Sequence, residues 1–87
     1  MKPHAVDWWK AADEELLRLW LDTPSLRLEI SSASHEINRL LAAQAESIGE
    51  EVHEGLRKLE IAPLRVQFSV ESEDRKVRVW TVRLTDR

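Results

Sequence analysis

Hydrophobic and polar positions follow two different periods along this chain, and the change divides it near its middle. In the first part Trp9, Ala12, Leu16 and Trp20 recur three, four and four residues apart, with Leu17 beside them. One apolar face at that spacing predicts a helix over Lys10–Leu21. Asp13, Glu14 and Glu15 fall in its early turns, where acids suit the positive end of the helix dipole. Asp22-Thr23-Pro24-Ser25 interrupts the pattern, with Thr23 placed to cap a second helix and Pro24 suited to its first position. Leu26, Ile30, Ala33, Ile37, Leu40 and Leu41 carry that second helix as far as Gln44, and so short a junction predicts a helical hairpin. Gln44 to Gly55 is polar and broken by Gly49 and Gly55, which predicts a connection. Beyond it the period becomes two. Leu59 and Ile61 alternate with Lys58 and Glu60 up to Pro63, and Leu64, Val66, Phe68 and Val70 alternate with Arg65, Gln67, Ser69 and Glu71. After a turn at Ser72-Glu73-Asp74-Arg75, Val77 and Val79 resume the alternation. Trp80, Val82 and Leu84 then take the opposite parity, which requires either a strand apolar on both faces or a bulge. His4–Trp8 reads as a short first strand. The expected order is β-α-α-β-β-β, an α+β two-layer domain with the helical hairpin on a small antiparallel sheet.

The 87 residues are accommodated as one domain over 1–87. A core of this size is thin, so a functional site is expected in a surface groove and not in an internal cavity. Hydrophobic residues make up 43% and charged residues 33%, which fits a folded soluble domain and not disorder. Apolar runs are too short for a membrane span, and Asp7 and Lys10 stand where a secretory signal would be apolar. The expected compartment is the cytoplasm. With no Cys, disulfides, thiol catalysis and cysteine-based zinc sites are excluded. The net charge of −3 speaks against a nucleic-acid partner until its distribution is considered. Residues 1–55 carry five Lys/Arg against eleven Asp/Glu, and residues 56–87 carry eight against five. An acidic front and a basic back predict two faces with opposite fields.

Four stretches resemble the RelE/ParE toxin superfamily of bacterial toxin–antitoxin modules. They are VDWWKAADEELLRLWLD (6–22), INRLLA (37–42), IGEEVHEGLRKLEIAPLRVQFSV (48–70) and DRKVRVWTV (74–82). Together they cover nearly the whole chain in one order. The resemblance implies a toxin neutralised by an antitoxin whose extended segment wraps it. It also implies one of two activities: metal-free, ribosome-dependent mRNA cleavage in RelE-like members, or poisoning of DNA gyrase by non-nucleolytic ParE-like members. A catalytically degenerate binding module is a third possibility. No cofactor and no metal is expected.

Metal-free RNA cleavage needs activation of a ribose 2′-OH, cations on the phosphorane, an acid for the leaving 5′-oxygen and a surface that stacks bases. Carried over from the family, Lys58 matches a lysine position and Arg65 the arginine that contacts the scissile phosphate. The neighbouring lysine position holds Leu56. The last-strand arginine position falls near Thr85, so Arg83 or Arg87 has to stand in, and the sequence contains no Tyr to match the family's C-terminal tyrosine. The candidate catalytic residues are therefore Arg65, Lys58 and Arg83. Strand parity adds Arg78, Trp80 and Gln67, with Arg87, as candidate RNA-binding residues, although alternating arginines also mark an ordinary solvated strand face. Trp80, Val82 and Leu84 are expected as an exposed apolar patch that an antitoxin segment covers. His53 among Glu50, Glu51 and Glu54 matches no metal-ligand spacing. Trp9 and Trp20 are expected in the core.

Overall fold

The computed structural model describes residues 3–85. Strand β1 (Ala5–Trp8) leads into helix α1 (Lys10–Asp22), a single 3-10 turn (Pro24–Leu26) and helix α2 (Arg27–Gln44). Four strands follow: β2 (Glu50–His53), β3 (Leu56–Ile61), β4 (Leu64–Glu71) and β5 (Lys76–Leu84). They form a five-stranded sheet in the order β1-β5-β4-β3-β2. The α+β architecture of two helices on one sheet is as expected. The sheet itself is mixed and not antiparallel, because β1 lies parallel to β5 while the remaining pairs are antiparallel.

The core lies between the helices and one sheet face. From α2 it takes Ile30, Ala33, Ile37 and Leu41, spaced three, four and four, and from α1 Ala12. The sheet contributes Leu59, Leu64, Val66, Phe68, Val77, Val79, Val82 and Leu84, all buried. Thr23 makes no side-chain cap. Arg27 secures the hairpin instead: its guanidinium donates to the carbonyls of Trp20 (2.9 Å) and Leu21 (3.1 Å), which the end of α1 leaves without helical partners. It also stacks over the Trp20 ring at 4.4 Å, and the Trp20 indole N–H donates to Ser31 Oγ at 3.2 Å.

The predicted polar connection contains a strand, β2. Its four residues are all exposed and include two glutamates, a composition that protects a sheet edge from further pairing and hides the strand from a hydrophobic pattern. Gly49, which precedes it, has φ +84°, and a Cβ there would lie 2.6 Å from the Lys58 carbonyl oxygen. Only glycine admits that approach.

The parity change in β5 is a bulge. Gln67 pairs with Thr81 and Phe68 with Val79, so Trp80 is the extra residue of β5. The bulge turns Trp80 away from the helices and returns Val82 and Leu84 to them. The expected apolar patch of Trp80, Val82 and Leu84 is thereby corrected: Val82 and Leu84 are 2% and 4% exposed, while Trp80 is 37% exposed on the opposite face. No helix among the described residues is long and apolar enough to cross a membrane.

Candidate functional site: the open face of the sheet

The face turned away from the helices carries the polar alternate positions of β3, β4 and β5, and strand register sorts them into rows. One row runs Glu60–Arg65–Arg83, and the next runs Lys58–Gln67–Thr81. Beyond the bulge a third row holds Ser69, Arg78 and Asp7. Side chains directly opposite one another on neighbouring strands lie about 5 Å apart at Cβ, and adjacent rows on one face about 7 Å apart.

Arg65, Lys58 and Arg83, called from the sequence, are thus brought together at one end of the open face. Arg65 reaches one carboxylate oxygen of Glu60 with both Nε (2.8 Å) and Nη2 (2.7 Å). Lys58 Nζ lies 4.0 Å from a Glu50 carboxylate oxygen, at the outer limit of an ion pair. Arg83, opposite Arg65, has no ion-pair partner among the described residues. Two like charges directly across a ladder destabilise a sheet, and Glu60 stands on the Arg65 side only. The two guanidiniums together therefore favour an anion between them, and their planar forks match two oxygens of a phosphate.

Arg78, Trp80 and Gln67 also lie on this face. Gln67 Oε1 accepts from the Thr81 hydroxyl at 3.4 Å. Arg78 donates from Nε to Asp7 at 3.1 Å, and its guanidinium carbon sits 5.3 Å from the Trp9 ring centroid and 5.5 Å from that of Trp80. The two indole rings are 5.5 Å apart and inclined by 44°. The Trp80 indole N–H donates to Ser69 Oγ at 2.9 Å. Arg87 lies outside the described residues. Trp9, expected in the core, is 45% exposed: it immediately precedes the first turn of α1, and its ring meets Trp80 at the sheet surface.

Sequence reasoning missed Glu60, Ser69 and Asp7. Glu60 had a usable signal. A turn at Ala62-Pro63 pairs Ile61 with Leu64 and so places residue 60 against residue 65. Asp7 had none, since its closeness to Arg78 depends on the parallel β1–β5 pairing of segments 71 residues apart.

On the helical side Leu17, Leu21 and Leu28 are exposed. A groove of about 410 Å³ between α1 and α2 is floored by Leu16, Leu17, Trp20 and Ile30 and edged by Asp13 and Glu14. Away from both surfaces, buried His4 places Nε2 3.3 Å from the Glu46 carboxylate at the end of α2. That carboxylate accepts a hydrogen bond from the Ser72 hydroxyl, which, with His4 and Arg75, holds it below the usual carboxylate range.

No protein-family model matches the chain, and no curated protein matches it. Solved structures of toxin–antitoxin proteins share its fold. A chain of the RelBE2 toxin–antitoxin complex of Mycobacterium tuberculosis superposes with a TM-score of 0.73 at 18% identity, over 100% of this chain and 97% of that one. A chain of the chromosomal ParDE system of P. aeruginosa gives 0.74 at 16% identity, over 93% and 95%. The isolated RelE toxin of E. coli gives 0.62 at 19% identity, over 97% and 86%. The chain has a RelE/ParE-like fold along essentially its whole length.

Proposed function

We propose that this chain is the toxin of a toxin–antitoxin module and that its open sheet face binds and cleaves RNA without a metal. Similarity over nearly the full length to two chains from toxin–antitoxin complexes and to an isolated toxin supports the first part. The in-register Arg65–Arg83 pair, with Lys58 one row away, carries the second. A ribosome-bound message is the substrate that the RelE-like side of the fold favours.

The chemistry follows from the rows. Arg65 and Arg83 hold the non-bridging oxygens of a phosphodiester, and hold them more tightly as charge grows on the phosphorane. Glu60 and Lys58 lie two residues apart on the same face of β3, about 7 Å, both on the β3 side of that phosphate, with Glu60 beside Arg65 in its row and Lys58 one row away. The 2′-oxygen attacks phosphorus and gives its proton to the Glu60 carboxylate. The phosphorus–O5′ bond breaks, and the 5′-oxygen takes a proton from the Lys58 ammonium. The products are a 2′,3′-cyclic phosphate and a 5′-hydroxyl. Gln67, in the Lys58 row on β4, offers an amide to the ribose.

The antitoxin is proposed to seat an amphipathic segment in the groove between α1 and α2. That groove is apolar at its floor, and Asp13 and Glu14 at its rim favour a partner with basic flanks. Expression of the chain with and without its antitoxin, followed by primer extension on cellular mRNA and a gyrase supercoiling assay, tests the proposal. Growth arrest with new message ends supports it. Growth arrest with intact messages and lost supercoiling overturns the RNA-directed part and leaves the toxin.

A further inference from the structure

The cluster of Trp80, Trp9, Arg78 and Ser69 is separate from the phosphate row and is not used by the cleavage chemistry above. Its construction is specific. A bulge exists in β5 only at Trp80, and its effect is to turn one large aromatic onto the open face while Val79 just before it and Val82 two residues after it stay in the core. The indole is then fixed from two directions. Its N–H is held by Ser69 Oγ at 2.9 Å, and its ring centroid lies 5.5 Å from that of Trp9 and 5.5 Å from the Arg78 guanidinium, which Asp7 holds in turn. Two rings 5.5 Å apart leave no room for a third between them, since intercalation needs two stacking layers of about 3.4 Å each. What the cluster offers is the exposed surface of one indole, 37% exposed and anchored by its N–H. Trp80 also forms a wall shared by two grooves. One, of about 280 Å³, contains Arg83, and the other, of about 180 Å³, is edged by Asp7, Ser69 and Lys76.

From this geometry we infer that Trp80, braced by Trp9, Arg78 and Ser69, is a stacking platform for one unpaired nucleobase next to the phosphate held by Arg65 and Arg83. The inference rests on the RNA-directed reading of the same face. A rigid aromatic loses little freedom on binding, so its stacking energy is retained in affinity. Every base has a π-face, so the platform is tolerant of sequence, and discrimination falls to Ser69, Asp7 and Lys76 at the base edge. The platform lies opposite Gln67 and Phe68, two to three residues along β4 from Arg65. That is about 7–10 Å, a distance one extended nucleotide spans.

The test uses the full chain and two fluorescent oligomers of equal length and phosphate number. One is a 2′-O-methyl oligoribonucleotide, whose blocked hydroxyl cannot attack, and the other is its fully abasic counterpart. Wild type is expected to bind the base-bearing oligomer more tightly. Trp80→Leu is expected to weaken that binding about tenfold and leave abasic binding unchanged, the range for one base on one aromatic. Trp80→Phe recovers part of the loss. Ser69→Ala, which frees the ring without removing it, gives a smaller loss on the base-bearing oligomer alone. Equal wild-type affinity for the two oligomers, or equal weakening of both by Trp80→Leu, overturns the platform and leaves the phosphate row standing. Failure of wild type to bind either oligomer overturns the RNA-directed reading together with the platform. Loss of antitoxin binding in Trp80→Leu with oligonucleotide affinity intact assigns the cluster to a protein partner and also overturns the inference.

Discussion

On the RNA-cleaving proposal, Arg65→Ala is expected to separate catalysis from stability, because the two effects are of very different size. Arg65 is half-exposed on the open face, and its neighbours Leu64 and Val66 are fully buried on the other. The substitution removes an ion pair whose side chains are 36% and 44% exposed, a geometry in which solvent screens most of the attraction and the loss is about 0.5 kcal/mol or less. It also removes the like-charge opposition to Arg83, which offsets part of that cost. The net change in folding free energy is within about 0.5 kcal/mol, and the melting temperature of a domain this size should move by only about 4 °C or less. Loss of a fork that grips the phosphorane, by contrast, removes about 2–4 kcal/mol of transition-state stabilisation, roughly a thirtyfold to several-hundredfold fall in rate. Arg65→Lys retains the charge but not the two-pronged geometry and is expected to recover only a fraction. The assay pairs message cleavage by the purified chain with a thermal melt and an antitoxin pull-down for each variant. Cleavage at the wild-type rate in Arg65→Ala refutes the placement of the phosphate, and a fall in cleavage matched by a collapse in melting temperature refutes the separation of site from core.

Three further outcomes follow from other parts of the molecule. Gly49→Ala places a Cβ against the Lys58 carbonyl at a positive φ and should destabilise the fold by on the order of 2 kcal/mol in a denaturant titration, disturbing the β2–β3 pairing beside Lys58. Leu17→Glu, on an exposed position of the α1–α2 groove, should leave the melting temperature within about 2 °C of wild type and weaken antitoxin binding measured by calorimetry. Glu46 is held below the usual carboxylate range in the folded state, chiefly by the Ser72 hydroxyl. Its contribution to stability is therefore present above that range and is lost as pH falls through the folded-state value, so melts of Glu46→Gln should show a weaker acid dependence than wild type.

The fold was legible in the sequence wherever burial imposes a period. The Ile30–Leu41 stripe and the Leu64–Val70 alternation each bury one face of a regular element, and both appear in the structure as expected. Strand β2 was not legible, because an exposed charged edge strand has no buried face to record. The parallel placement of β1 was hidden for another reason: its partner lies about 70 residues away, and nothing local distinguishes parallel from antiparallel pairing. At the site, parity alone put Lys58, Arg65, Gln67 and Arg78 on one face. The parity break at Trp80 to Leu84 admitted two explanations, and only the bulge accounts for burial at both Val79 and Val82. The role of Trp9 was misjudged because a residue preceding the first turn continues the helical stripe in sequence while its ring turns toward the sheet surface. Glu60 could have been placed opposite Arg65 from the turn at Ala62-Pro63, whereas Asp7 became visible only through the β1–β5 register.

The most direct test of an RNA-cleaving cationic row is end-group analysis of a defined message incubated with translating ribosomes and the purified chain. The row predicts cleavage without added metal, 2′,3′-cyclic phosphate on the upstream fragment, 5′-hydroxyl on the downstream fragment, and a yield that falls steeply as salt competes for the phosphate. An intact message under these conditions, with wild-type chain that arrests growth, contradicts it.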